Sequence, residues 1–364
     1  MLYNRQVIKS WPEPPPAPAR PPAPLPPALK QGKASFDYVV IGAGSAGCAF
    51  VSQLLSSSAN VSVLLLEAGA ANDVPEIRDF TKAMNLRGTK YDWNDKSQPQ
   101  TCMDGEHMPY DAGKVYGGSS SINGMVWVRG NPADYDIWAS QGNKGWNWSD
   151  VEPVFKRQER WAGQSSPVRG NKGPIYVTDE LSINPVSKDF VTTVVNMGFS
   201  RNPDYNAQTQ YGVGFSQLNV KPSSEPAVYG IRQDSFNTLV GPWLGDERLI
   251  PLQDARVQHI DLVNGRADTV RFNFGGDPVT VGVNKEVILC AGTLRSPQVL
   301  MLSGIGDPDA LRKLGIPVAA PLPGVGRNLQ DQVIGFVLRA LKRTDPGHFS
   351  PMCANIFANG LPGS

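Results

Sequence analysis

At 364 residues, 40% of them apolar and 18% charged, the chain has the composition of a globular protein with room for two domains. Its formal net charge of +1 gives no electrostatic footprint for nucleic acid or an anionic membrane surface. No apolar run reaches the roughly 18 residues of a membrane span, and no apolar core precedes the first prolines as in a signal peptide, so a cytoplasmic protein is expected.

In chain order, residues 12–27 come first, with ten prolines. Proline fixes its own φ and donates no hydrogen bond, so residues 1–34 read as a disordered, extended leader. The spacings Pro15 to Pro18 and Pro18 to Pro21 suit an SH3-like groove, and the same composition suits a plain spacer. Phe36–Ile41 is an apolar run ending in glycine, the pattern of a buried parallel strand. Ala46–Leu55 reads as a helix and Val61–Leu66 as a second buried strand. Residues 70–112 mix polar, Pro and Gly positions and read as an irregular excursion. Helices are expected at Asp134–Trp138 and Ser149–Trp161, the second with Ser149 as N-cap and Glu152 completing a capping box. Residues 165–235 read as short strands and loops. Leu249–Val263 and Ala267–Phe274, joined at Asn264-Gly265, read as a β-hairpin. A buried strand at Glu286–Leu289 and a helix at Ser296–Leu302 follow. Cys48, Cys102, Cys290 and Cys353 show no metal-ligand spacing; Cys48 and Cys290 fall in segments that read as buried.

Gly42-x-Gly44-x-x-Gly47 sits between the first strand and the first helix. Its first glycine permits the tight turn, its second lets backbone approach a pyrophosphate, and its third lets helix pack on strand. Ser45 and Ala46 then stand at a helix N-terminus, whose free N–H groups and dipole favour phosphate. Glu67, twenty residues beyond Gly47 at the end of the second strand, is placed to accept hydrogen bonds from a ribose diol. A carboxylate there also repels a 2′-phosphate.

A second glycine-rich run, Gly113-Lys-Val-Tyr-Gly-Gly-Ser-Ser-Ser-Ile-Asn-Gly-Met-Val-Trp-Val-Arg-Gly130, pairs glycines with small hydroxyls, as backbone needs in order to lie against a flat cofactor. With Asp136 it resembles the first signature of the glucose–methanol–choline (GMC) oxidoreductases, departing at Tyr116, where the family has an aliphatic residue. Ala112 stands where many members have Arg. Gly292–Gly306 resembles the second signature throughout, and Glu67-Ala-Gly69, Gly145-Trp-Asn-Trp148 and Pro323–Asp331 also fit. The resemblance implies an α/β fold: a Rossmann-like FAD-binding domain with a mixed α+β substrate domain whose C-terminal part is missing. It implies FAD-binding segments at 35–160 and 226–330, a substrate segment at 161–225, and a second substrate segment starting in 331–364.

The resemblance also implies site residues. Gly42, Gly44, Ser45, Ala46, Gly47 and Glu67 would serve the adenosine and pyrophosphate. Gly117, Gly118 and Ser119 would lie along the pyrophosphate and flavin. Asn123, Gly124, Met125 and Val126 would wrap the isoalloxazine edge. Val257 would meet the adenine, and Ala291 and Gly292 would close over the cofactor. Some members attach FAD through a histidine just before that Asn; Ile122 stands there and offers no nucleophile, so non-covalent FAD is expected. The implied reaction is hydride transfer from the CH–OH group of a small alcohol to flavin N5, with dioxygen or a quinone-like partner as final acceptor. The family's base is a late histidine, paired with His or Asn. Here His107, His259 and His348 are the histidines, and none is assigned as base; His259 reads as structural. A truncated chain is therefore expected, and two alternatives stay open: a non-redox relative with lyase or cyclase chemistry, and an inactive FAD-binding fragment.

Overall fold

The computed structural model describes residues 34–57, 60–225, 228–332 and 354–358, together with Pro26 and Leu29. The proline-rich leader apart from Pro26, Leu29 and Ala34 lies outside the described residues, as do His348, Cys353 and most of the expected last segment.

A six-stranded sheet organises the molecule. Its strands are β1 (Ser35–Ile41), β2 (Val63–Leu66), β3 (Leu249–Leu252), β4 (Ala255–Val263), β5 (Arg266–Phe274) and β6 (Asp277–Leu289). They run in the order β3-β2-β1-β6-β5-β4. The first four in that order are mutually parallel, with Val39 opposite Leu64 on one side and Val287 on the other. β6, β5 and β4 continue as an antiparallel meander.

Period-two alternation divides the sheet into two apolar faces. Val39, Ile41, Leu64 and Leu66 point to one side, where Leu252, Phe272 and Val299 join them. Val40, Val63 and Leu65 point to the other, against Val51 and Leu55 of helix α1 (Ser45–Ser56). All four β2 residues are buried because both faces are covered, as an interior parallel strand requires.

The remaining helices of note are α2 (Pro132–Ser140), α3 (Trp148–Gln158), α4 (Pro185–Asn196) and α5 (Gly292–Leu302). Residues 70–112 are irregular as expected, with short turns at Pro75–Arg78 and Phe80–Leu86 and a two-residue ladder joining Asp95–Lys96 to Pro109–Tyr110.

Four expectations need correction. The cap of α3 is Asn147, whose Oδ1 accepts from Asp150 N at 3.1 Å, while Ser149 Oγ donates to the same Oδ1; the Ser149–Glu152 box is not made. Asn147, two residues earlier, takes the cap position instead of the Ser. The helix also ends at Gln158, and Glu159–Trp161 form a short strand with Ile175–Val177. The expected strand Leu249–Val263 is broken at Asp254, whose φ of 52° turns the chain. Its first part pairs with β2 and its second with β5. β6 starts at Asp277, nine residues before the expected strand, because the Gly275-Gly276 turn launches a third meander strand. α5 begins at Gly292 and carries Pro297 within it.

Residues 127–217 are held by a buried polar network. Glu159, fully buried, accepts from Arg129 Nη2 at 2.6 Å, Arg169 Nε at 2.7 Å and Trp127 Nε1 at 3.0 Å. Arg169 also reaches Asp204 and Gln217, and Asn206 joins Gln217 to the backbone of Trp127 and Arg129. Burial lowers the Arg129 guanidinium pKa, and the Glu159 carboxylate opposes that shift.

Candidate functional site: a glycine-lined cavity at the carboxyl ends of the parallel strands

A cavity of about 1160 Å³ opens beside the carboxyl ends of β1, β2 and β6. That is the position at which open α/β sheets take their ligands, and the volume lies just above the usual range of about 300–1,000 Å³.

Its wall is built largely from backbone. Gly42 turns out of β1 with φ +99°, and a Cβ there would sit 2.4 Å from Cys290 O, so glycine is required. Gly118, at φ +53°, brings the second loop onto the first: its Cβ would lie 2.8 Å from Gly44 Cα. α1 begins just there, with Gly44 as N-cap and no side-chain cap. Its uncapped N–H groups border the cavity through Gly44, Ser45 and Ala46. Nothing bulkier than backbone separates that helix end from the Gly118–Ser119 turn.

Glu67 closes the end of β2. Its Oε2 accepts from Ala43 N at 3.1 Å and its Oε1 from Gly69 N at 2.9 Å, so the carboxylate also ties the first loop together. Burial pushes its pKa up to about 7 against the pull of those N–H groups.

Val257, Ala291 and Gly292 also line the cavity, as do Ala112 and His259. His259 Nε2 lies 3.2 Å from Asp261 Oδ1 on β4. The other expected residues stand behind or beside the wall. Gly47 is buried inside α1, and Gly117 forms the left-handed turn before Gly118. Met125 is buried in a separate cluster with Phe80 and Leu218, and Val126 packs against it. Asn123 is exposed, and its Oδ1 accepts from Met125 N. Gly124 is half-buried between them.

Two positions that the resemblance singles out have physical accounts. Tyr116 lies flat on Phe236, ring centroids 4.0 Å apart, inside the core that covers α1; burial drives its phenol pKa up. Ile122 packs with Ile77, Leu86, Tyr91 and Val115.

Sequence reasoning missed the rim. Trp93, from the irregular excursion, carries three cations around its indole: the Arg295 guanidinium at 4.2 Å, Lys114 Nζ at 5.0 Å and the Arg256 guanidinium at 5.8 Å. Arg295 also grips Asp95 at 2.6 and 2.8 Å. Arg295 belonged to the second signature, but nothing periodic around Trp93 pointed to their meeting. Arg232, in the two-strand ladder that pairs Val220–Pro222 with Gly230–Arg232, was missed as well.

No helix among the described residues is long and apolar enough to cross a membrane, and none of their His, Cys, Asp and Glu side chains form a metal-holding group.

A family profile described as GMC oxidoreductase matches residues 36–334. The chain is 36% identical over 302 residues to the oxygen-dependent choline dehydrogenase of Photobacterium profundum, covering 82% of this chain and 52% of that one. It is 37% identical over 301 residues to the protein of the same name from Vibrio vulnificus, with the same coverage. Thus the chain spans about half the length of the curated relatives it matches. Among solved structures, pyridoxine 4-oxidase from Mesorbium loti superposes with a TM-score of 0.74 at 28% identity, covering 81% of this chain and 57% of that one. A formate oxidase of Aspergillus oryzae gives 0.72 at 27% identity, covering 82% and 52%.

Proposed function

The chain belongs to the GMC oxidoreductase family, and from that premise we propose that it forms the FAD-holding part of an enzyme that oxidises the CH–OH group of a small alcohol. The observation that carries the reading is the meeting of an uncapped helix end, two glycine loops and Glu67 on one cavity. The residues fit the cofactor's chemistry. The α1 N-terminus and the Gly118–Ser119 turn would hold the pyrophosphate, with Glu67 on the adenosine ribose and Val257 beside the adenine. Asn123 to Val126 would border the flavin. When bound, FAD supplies the hydride acceptor at its N5.

The chain's own part is to bind, orient and exclude water. Ile122, committed to the core, offers no atom for a covalent link, which supports non-covalent attachment. The division into FAD-binding segments at 35–160 and 226–330 and a substrate segment at 161–225 belongs to the same proposal. The relatives' names support dioxygen as electron acceptor, and a quinone-like acceptor is the other reading. The proton-accepting base is not assigned to any described residue.

The test is anaerobic mixing of the purified chain with a panel of primary alcohols, choline included, while following the oxidised-flavin band at about 450 nm. Uptake of FAD is the expected result for this part of the enzyme, and bleaching by an alcohol would show that it also performs the redox step. A colourless protein that takes up no FAD would overturn the reading.

A further inference from the structure

We propose that Arg232 is a buried positioning cation beneath the flavin loop, locking the Asn123 amide with its donors outward and favouring the reduced state of the bound flavin. The inference rests on the FAD reading above and concerns what tunes the cofactor once it is held.

Arg232 is 2% exposed. It makes four hydrogen bonds, all to neutral oxygens. Nε donates to Ile77 O at 3.0 Å, and Nη1 donates to Ser120 O at 3.0 Å, Asn123 O at 2.8 Å and Asn123 Oδ1 at 2.9 Å. Nη2 is buried with no partner among the described residues. The nearest compensating charge, Asp234, acts only at longer range, and its oxygens are occupied by Asn72 Nδ2, Asn237 N and Asn237 Nδ2. Desolvation brings the guanidinium pKa down to about 10, still far above neutral pH, so the charge persists.

A buried cation without an ion-pair partner is unfavourable in itself. Its hydrogen bonds explain its place: they close the turn from Ser120 to Asn123 from below. They also fix the Asn123 amide. Both Arg232 Nη1 and Met125 N converge on one terminal atom of that side chain, and two donors can meet only an oxygen. The NH₂ end is therefore the one turned away, on an exposed residue, toward whatever meets the loop from outside. The loop thus offers a ligand outward amide donors with a fixed positive charge behind them. That arrangement suits a group that gains negative charge, as a flavin ring does on two-electron reduction.

The test compares Arg232→Gln, which removes the charge and keeps an amide donor, with Arg232→Lys, which keeps the charge and loses the fork. Both are made in the full chain loaded with FAD, and the midpoint potential is read. In the Gln variant the preference for reduced over oxidised flavin is expected to fall about tenfold, roughly 30 mV for a two-electron couple. The Lys variant is expected to stay within about threefold of the unsubstituted chain. Unchanged midpoints in both variants, or equal shifts in both, overturn the assignment. Should the Gln variant fail to fold, Asn123→Asp supplies the missing ion-pair partner without removing Arg232. The FAD-free Asn123→Asp chain is expected to melt no lower than the unsubstituted chain while its flavin midpoint falls; an unchanged midpoint overturns the proposal. An unsubstituted chain that binds no FAD fails the cofactor reading itself, and this inference with it.

Discussion

Two regions of the molecule solve opposite problems. The cavity wall from Gly42 to Glu67 and at Gly118 is built from backbone, with an uncapped helix end left open. The region from Trp127 to Gln217 is sealed by side chains, with Glu159, Arg129, Arg169 and Gln217 bonded to one another away from water, while Arg129 Nε and Ser216 Oγ have no partner among the described residues. The first leaves its polar groups for a ligand, and the second pairs most of its own. The difference teaches where substitutions should damage binding and where they should damage folding.

Glu159→Ala is the harshest way to break the comparison. It leaves two buried guanidiniums facing each other without their shared carboxylate. Urea unfolding should show a loss of about 3–5 kcal/mol. A loss under about 1 kcal/mol would mean that water or other groups take over and that the region is not sealed.

Glu67 sharpens the contrast through pH. Its folded pKa, about 7, lies above the ordinary 4.5 because burial disfavours the charged form. Between those values the folded chain holds the proton that the unfolded chain has released. Stability of the FAD-free protein from this group is therefore greatest below about pH 4.5, and about 3 kcal/mol is lost as pH rises through 7. Glu67→Gln should flatten the stability curve between pH 5 and 8, and parallel curves for the two proteins would count against the carboxylate's buried state.

Gly118→Ala tests the open wall. The left-handed backbone alone costs about 1–2 kcal/mol for a residue with a side chain, and the new methyl meets Gly44 Cα. FAD affinity should fall at least about tenfold, or about 1.4 kcal/mol of binding free energy. Titration of the variant with FAD checks this, and an unchanged affinity would separate the loop from the cofactor.

The mildest change is Arg78→Ala. Its pairing with Glu225 joins two half-exposed side chains, so the thermal midpoint should barely move. A larger effect would show that exposure alone does not rank the ion pairs of this chain.

The same contrast governs what could be read in advance. Gly42, Gly44, Gly47 and Glu67 were legible because strand, turn and helix lie within thirty residues and each glycine has a local reason. The apolar runs of β1 and β2 were legible because parallel strands covered on both faces show little alternation to confuse. The β6 strand was half missed because Pro278, Gly282 and Asn284 dilute its pattern, although Gly275-Gly276 is a turn signal. The Glu159 network was illegible: its partners are up to 79 residues apart, and an isolated Arg or Glu reads as solvated. Arg232 and the cations around Trp93 were hidden for the same reason, since only the folded chain brings them to the loops they serve.

The account stands most directly on the cavity's ligand. Titrating the FAD-free chain with FAD, followed by acid precipitation of the complex, reads both occupancy and attachment. One FAD per chain, saturable and released into the supernatant on denaturation, is the predicted result. No binding, or flavin that remains with the precipitated chain, would contradict it.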